Sequence, residues 1–122
     1  MNIVIIEDDP IDRKLVCAVL TSSGHSVRTH MTAEQAITAI QSDKPDLVLV
    51  DLHLPGMDGL SFIRQFKQNP GTCHIPVVVM TGFPSRFKKD EVMAAGCDAY
   101  LTKPIDTRAL PQTVAEAVVK KI

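Results

Sequence analysis

The stretch Asp46-Leu47-Val48-Leu49-Val50-Asp51-Leu52-His53, followed by Leu54-Pro55-Gly56-Met57-Asp58-Gly59, decides the fold. An apolar, β-branched run without polar alternation reads as a strand buried on both faces, as in a parallel sheet covered by helices. The run stops on the carboxylate of Asp51 and passes into a Pro/Gly turn, which presents that carboxylate at the mouth of the sheet. Three other apolar runs end on polar residues. Glu7-Asp8-Asp9 follows Ile3 to Ile6, Thr81-Gly82 follows Ile75 to Met80, and Lys103-Pro104 follows Ala99 to Thr102. Singly, an acidic cluster is a common helix cap and Thr-Gly or Lys-Pro an ordinary turn. Four such signals at four strand ends, in this order, describe one site.

Helical patterns separate the strands. Asp9 and Pro10 are N-cap and first-turn signals, and Ile11, Leu15, Cys17, Val19 and Leu20 mark the inward face of a first helix that Gly24 closes. Residues 25–30 form a short strand. Thr32 to Gln35 has capping-box spacing, with Ala36, Ile37 and Ile40 apolar at helical intervals, and Lys44-Pro45 ends that helix. A third helix runs from about Gly59, with Leu60, Ile63 and Phe66 inward, and stops before Asn69-Pro70-Gly71. Phe87, Glu91, Val92 and Ala95 indicate a fourth, ended by Gly96. A fifth starts near Asp106 or Thr107 and carries Leu110, Val114, Ala117 and Val118, with Pro111 in its first turn, where the lost N–H costs least. Five β/α pairs predict an α/β doubly wound fold, a central five-stranded parallel sheet with helices on both faces. Ligands of such sheets bind at the carboxyl ends of the strands, where all four polar signals lie.

The 122 residues suit one domain spanning 1–122. A net charge of −1 gives no reason to expect nucleic-acid or membrane binding through bulk electrostatics. No apolar stretch is long enough for a transmembrane span, and residues 3–6 are too few for a signal peptide. Cys17, Cys73 and Cys97 are odd in number and lack Cys-x-x-Cys spacing, which argues for reduced thiols and a cytoplasmic setting.

Carboxylates gathered at one sheet edge repel each other and raise one another's pKa. A hard divalent cation with oxygen ligands relieves this, and Mg²⁺ is the natural choice because it keeps waters and tolerates phosphate. Asp51 can then act as a carboxylate nucleophile on phosphorus. Glu7, Asp8 and Asp51 supply −3, matched by Mg²⁺ and Lys103. Phosphorylation leaves one excess negative charge for hydrogen-bond donors, among them the Thr81 hydroxyl. Positioning and charge stabilisation carry most of such a transfer, so no general base is required.

From Ile3 to about Val119 these residues resemble a response-regulator receiver domain of two-component signalling. The resemblance implies a (βα)5 flavodoxin-like fold with strand order 2-1-3-4-5. It implies Asp51 as phosphoacceptor, Asp8 as direct Mg²⁺ ligand, Glu7 as a metal-site acid acting mainly through water, and the backbone carbonyl of His53 as a further ligand. Thr81 and Lys103 would bind the phosphoryl group, Lys103-Pro104 would be cis, and Tyr100 would change rotamer on activation. The partners implied are a histidine kinase or histidine phosphotransfer protein upstream and a protein target downstream. The target would be met through the face of helix 4, strand 5 and helix 5. Such a domain is a switch that catalyses only its own phosphorylation and slow autodephosphorylation. No output domain is expected after the last helix.

Glu7 stands where many members have Asp, and His53 and Phe83 occupy the variable positions beside the acceptor and the threonine. Phe83 is expected to shield the acceptor from water. The segment from Gly82 to Lys89 is expected to move most, because Arg86, Lys88 and Lys89 place positive charge at a helix N-terminus, where the dipole disfavours it. A haloacid-dehalogenase-type phosphohydrolase would need a second Asp two residues after Asp51, and this chain has His53 there. A flavodoxin-like electron carrier would need uncharged donors after strand 1, where the chain has Glu7-Asp8-Asp9-Pro10. His25, His30, His53 and His74 show no metal-ligand spacing, and Lys88 and Lys89 read first as a solvated face.

Overall fold

In the computed structural model the described residues are 1–82 and 87–120. Strands β1 (Asn2–Ile6), β2 (Ser26–His30), β3 (Leu47–Asp51), β4 (Val77–Thr81) and β5 (Ala99–Thr102) alternate with helices α1 (Pro10–Ser22), α2 (Ala33–Ser42), α3 (Gly59–Gln68), α4 (Lys89–Ala94) and α5 (Ala109–Val119). All strand pairs are parallel, in the order β2-β1-β3-β4-β5. The order reverses at β1, so a crevice opens beyond the carboxyl ends of β1 and β3.

Every residue of β3 and β4 is buried. Period-two geometry sends Val4, Ile6, Val48, Val50, Val77 and Val79 to one face, against α2, α3 and Val92 of α4. Ile3, Ile5, Leu47, Leu49, Val78 and Met80 go to the other, against α1 and α5. The two-sided burial explains why these strands lack alternation. β5 is an edge strand, and its residues are only partly buried or exposed.

Caps set the helix starts. Asp9 Oδ1 accepts from Ile11 N at 3.0 Å, Thr32 Oγ1 from Gln35 N at 3.1 Å, and Asp58 Oδ1 from Ser61 N at 2.7 Å.

Four expectations need correction. In α1 the buried residues are Val16 and Leu20, whereas Ile11 is 76% and Leu15 40% exposed. Only Cys17 and Val19 of the remaining expected stripe pack partly against the core. β4 begins at Val77, because Pro76 has no N–H for the ladder, though its carbonyl accepts from Val48 N at 3.0 Å. α4 is only Lys89–Ala94, starting after Lys88, and carries Asp90 and Glu91 in its first turn. Those acids complement the dipole and offset the lysines that the destabilising argument relied on. α5 begins at Ala109, since Asp106 Oδ1 accepts from Arg108 N and Ala109 N at 2.9 and 3.3 Å and turns the chain before the helix.

Candidate active-site cleft

Each polar signal sits where a strand ends. Glu7 follows β1 directly, and its N–H bonds the His30 carbonyl at 3.0 Å, extending the pairing with β2 by one step. Asp51 is the last residue of β3 and Thr81 the last of β4, one register step beyond Met80, the partner of Asp51. Lys103 follows β5, and its backbone N–H bonds the Thr81 carbonyl at 2.8 Å. The Lys103–Pro104 peptide is cis.

Side chains converge from there. Glu7 is fully buried and Asp51 is 4% exposed. One carboxylate oxygen each from Glu7, Asp8 and Asp51 lie within 4.8 Å of one another. Lys103 Nζ donates to Asp51 Oδ2 at 2.9 Å, to Asp12 Oδ2 at 3.0 Å and to Glu7 Oε1. The other oxygen of Asp51 accepts from His53 N at 3.0 Å. Asp8, Asp9, Asp12, Asp51, His53, Gly82 and Lys103 line a cleft of about 380 Å³.

Burial, then the neighbouring Asp51, push the Glu7 carboxyl up to about 8, and Lys103 offsets this only in part. Burial alone would lower the Lys103 ammonium, but hydrogen bonds to Glu7, Asp51 and Asp12 outweigh it and hold the group well above its ordinary value. The oxygen-only donor set, with burial and the neighbouring Asp51 pushing Glu7 toward its neutral form, fits a hard divalent cation.

Several supporting residues escaped the sequence reading. Asp12, in the first turn of α1, is a third carboxylate on Lys103. Arg13 Nη1 donates to the carbonyls of Glu7 and Asp8 at 3.1 and 3.3 Å and braces the acidic loop. Glu34 on α2 accepts from Met57 N at 3.2 Å, under the turn where Gly56 has φ +72°. Gly59 could take no side chain, because a Cβ there would overlap the Asp51 carbonyl and lie 2.7 Å from Leu52 Cα. One of them carried a local signal, since Gly59 follows Asp58, the N-cap of α3.

His53 lines the cleft and its ring packs edge-on against Phe87 at 5.5 Å. Tyr100 stands apart from the cleft-lining residues on β5. Its hydroxyl is buried with no hydrogen-bond partner among the described residues, and Lys89 Nζ lies 5.4 Å over its ring. Phe83 and Arg86, on which shielding and segment movement were expected to depend, lie outside the described residues. The described helices include none long and apolar enough to cross a membrane.

The family model of the response regulator receiver domain matches residues 3–115. The response regulator PleD of Caulobacter vibrioides is 36% identical over 105 residues, 86% of this chain and 23% of PleD. The chain therefore spans less than a quarter of that relative. A CheY-like response regulator receiver domain protein of Methanospirillum hungatei superposes with a TM-score of 0.90 at 25% identity, covering 98% of this chain and 94% of that one. The receiver domain of a sensor histidine kinase from Pseudomonas aeruginosa shares the fold at a TM-score of 0.88 and 24% identity, covering 97% of each chain. That structure has a magnesium ion coordinated in its active-site cleft.

Proposed function

Since this chain belongs to the response regulator receiver family of two-component systems, we propose that it is a cytoplasmic phosphorylation switch whose acceptor is Asp51. The observation that carries the reading is the setting of the Asp51 carboxylate. It is nearly buried at a strand end, with one oxygen on Lys103, the other on the His53 N–H, and two further acids close by. A carboxylate so held is fixed for in-line attack and has no proton to lose. An Asp51 oxygen forms the new O–P bond while the P–N bond to a donor phosphohistidine breaks, and the imidazole nitrogen keeps the electron pair. Lys103 neutralises charge on the phosphoryl oxygens, and the Thr81 hydroxyl would donate to the one left over.

Glu7, Asp8, Asp51 and the carbonyl of His53 would hold the Mg²⁺, which supplies neutralising charge at the phosphoryl group. The donor is a histidine kinase or a histidine phosphotransfer protein. The exposed apolar pair Ile11 and Leu15, one helical turn apart on α1 and beside the cleft, supports docking of such a protein there. The output reading is a change of the α4, β5 and α5 face, with Thr81 and Tyr100 as switch residues and a downstream protein as target. It is supported by the short α4 and by the Tyr100 hydroxyl, which has no hydrogen-bond partner among the described residues. Domain extent 1–122 and slow autodephosphorylation complete the reading.

Incubation with Mg²⁺ and acetyl phosphate should add one phosphoryl group by intact mass to the wild type and none to Asp51→Asn. Normal labelling of that variant refutes the assignment.

A further inference from the structure

Lys103 is fully subscribed. An ammonium has three N–H donors, and Glu7, Asp12 and Asp51 take one each. A charge count over Glu7, Asp8 and Asp51 alone omits Asp12. With Asp12 and the cleft-lining Asp9, five acidic side chains face one ammonium, and a divalent cation still leaves a negative excess. An arriving phosphoryl group adds more, and it has no claim on Lys103 unless one contact is given up.

The three contacts are not equally dispensable. The Asp51 contact lies at the reacting group itself. Glu7 is fully buried, and stripping an ammonium from a buried carboxylate exposes the whole desolvation cost of that charge. The Asp12 side chain is 27% exposed and sits in the first turn of α1, where water and the helix dipole both favour a carboxylate without its partner. Asp12 is therefore the contact that breaks at least cost.

Resting on the phosphoacceptor reading, we infer that Asp12 is a positioning residue. It holds the third N–H of Lys103 in the resting cleft and competes with the phosphoryl group for it. Asp12 thereby sets how readily the acceptor site takes an anionic phosphoryl ligand. It does not touch the transferred group, and acts through Lys103 and through its own charge at the cleft rim.

Beryllofluoride, titrated at saturating Mg²⁺ and followed by ¹⁹F NMR or calorimetry, isolates this competition from effects on metal affinity. Asp12→Asn keeps the shape and removes the competing charge, and it should bind the mimic about threefold to fivefold more tightly than wild type. Asp12→Glu restores the charge and should return within about twofold of wild type. A gain in affinity cannot arise from a damaged fold. Unchanged or weaker binding by Asp12→Asn, with a wild type that binds the mimic and is labelled on Asp51, overturns this inference alone. Tightening by Asp12→Glu equal to that of Asp12→Asn overturns the charge argument as well. A wild type that neither binds the mimic nor takes label overturns the phosphoacceptor reading and this inference with it.

Discussion

Two largely buried lysines lie at opposite ends of the sheet, and they are solved differently. Near the amino ends of β4 and β5, Lys67 donates to the carbonyls of Ile75 and Cys73 at 2.6 and 3.3 Å and to Asp98 Oδ2 at 3.4 Å. Asp98 in turn accepts from Val77 N at 2.8 Å. Among the described residues, one positive charge meets one negative charge, and neutral carbonyls accept from the ammonium as well. Even the backbone conforms, since Gly96 has φ +112° and a Cβ there would press on Lys67 Cγ at 3.0 Å. At the carboxyl ends, Lys103 faces three carboxylates with a fourth, Asp8, nearby. The first arrangement closes its charge and fastens α3 to the starts of two strands. The second leaves a negative surplus, which a proton on Glu7 or a metal cation from solution balances.

The sharpest way to break this contrast is to remove one acid from each end. Asp8→Ala should lose labelling by acetyl phosphate and Mg²⁺ entirely, with little change in stability. Asp98→Ala should keep labelling at low temperature but lose about 3 kcal/mol of unfolding free energy in urea, the usual cost of orphaning a buried ion partner. Labelling of Asp8→Ala in EDTA at the wild-type rate would end the claim that the surplus charge belongs to a metal.

How far the sequence could be read follows from the same distinction. Buried parallel strands announce themselves by uninterrupted apolar residues, so β1, β3 and β4 and the polar residues at their ends were legible, as was the capping of α1 by Asp9 and of α2 by Thr32. The face of α1 was misread because Ile11 and Leu15 satisfy helical periodicity while pointing to solvent beside the cleft. Periodicity reports that a face is apolar, without saying what covers it. The start of α5 was misplaced because Asp106 uses its side chain to make a turn that a propensity reading takes for the helix itself. Asp12, Arg13 and Glu34 were missed for a further reason. Their partners are a distant lysine or loop backbone, and such contacts leave no local pattern.

A smaller effect should appear in the stability of the metal-free protein. Glu7 takes up its proton near pH 4.5 when unfolded but holds it up to about 8 when folded. Between those values the folded state binds more protons, so stability falls as pH rises. The contribution is complete below pH 4.5 and gone above about pH 8. Saturating Mg²⁺ should raise the melting temperature by about 3–5 °C at pH 8 and by much less at pH 5, where protons already neutralise the cleft. Glu7→Gln should flatten the pH dependence. Equal Mg²⁺ stabilisation at both pH values would show that the surplus charge is already screened, erasing the difference between the two lysine sites.

Amide exchange extends the comparison to motion. Beryllofluoride with Mg²⁺ should change exchange in α4 and the residues preceding it by about fivefold, equivalent to roughly 1 kcal/mol of local opening. The segment around Lys67 and Val77 should stay as it is, because its charges are already matched. Equal change at both ends would mean that the whole sheet responds and that the Lys67 clamp does not insulate its half.

The smallest expected effect concerns how long an aspartyl phosphate survives, and it turns on two neighbours of opposite tendency. Hydrolysis requires a water in line with the Asp51–phosphorus bond. Phe83, two residues after Thr81 in sequence and outside the described residues, has a side chain that offers such a water no hydrogen bond and is expected to shield the acceptor. The His53 imidazole could orient the water or take its proton. In the fold, His53 is already committed twice: its N–H serves Asp51, and its ring packs edge-on against Phe87. A ring held by packing has less freedom to follow a water than one free in solvent, so shielding by Phe83 should outweigh assistance by His53. After donor removal, Phe83→Ala should lose its phosphoryl group faster than wild type, and His53→Ala should slow the loss by less than about tenfold. A general base contributes on the order of a hundredfold or more. Slowing of that size in His53→Ala, with Phe83→Ala no faster than wild type, would reverse the ranking and make His53 the group that sets the lifetime.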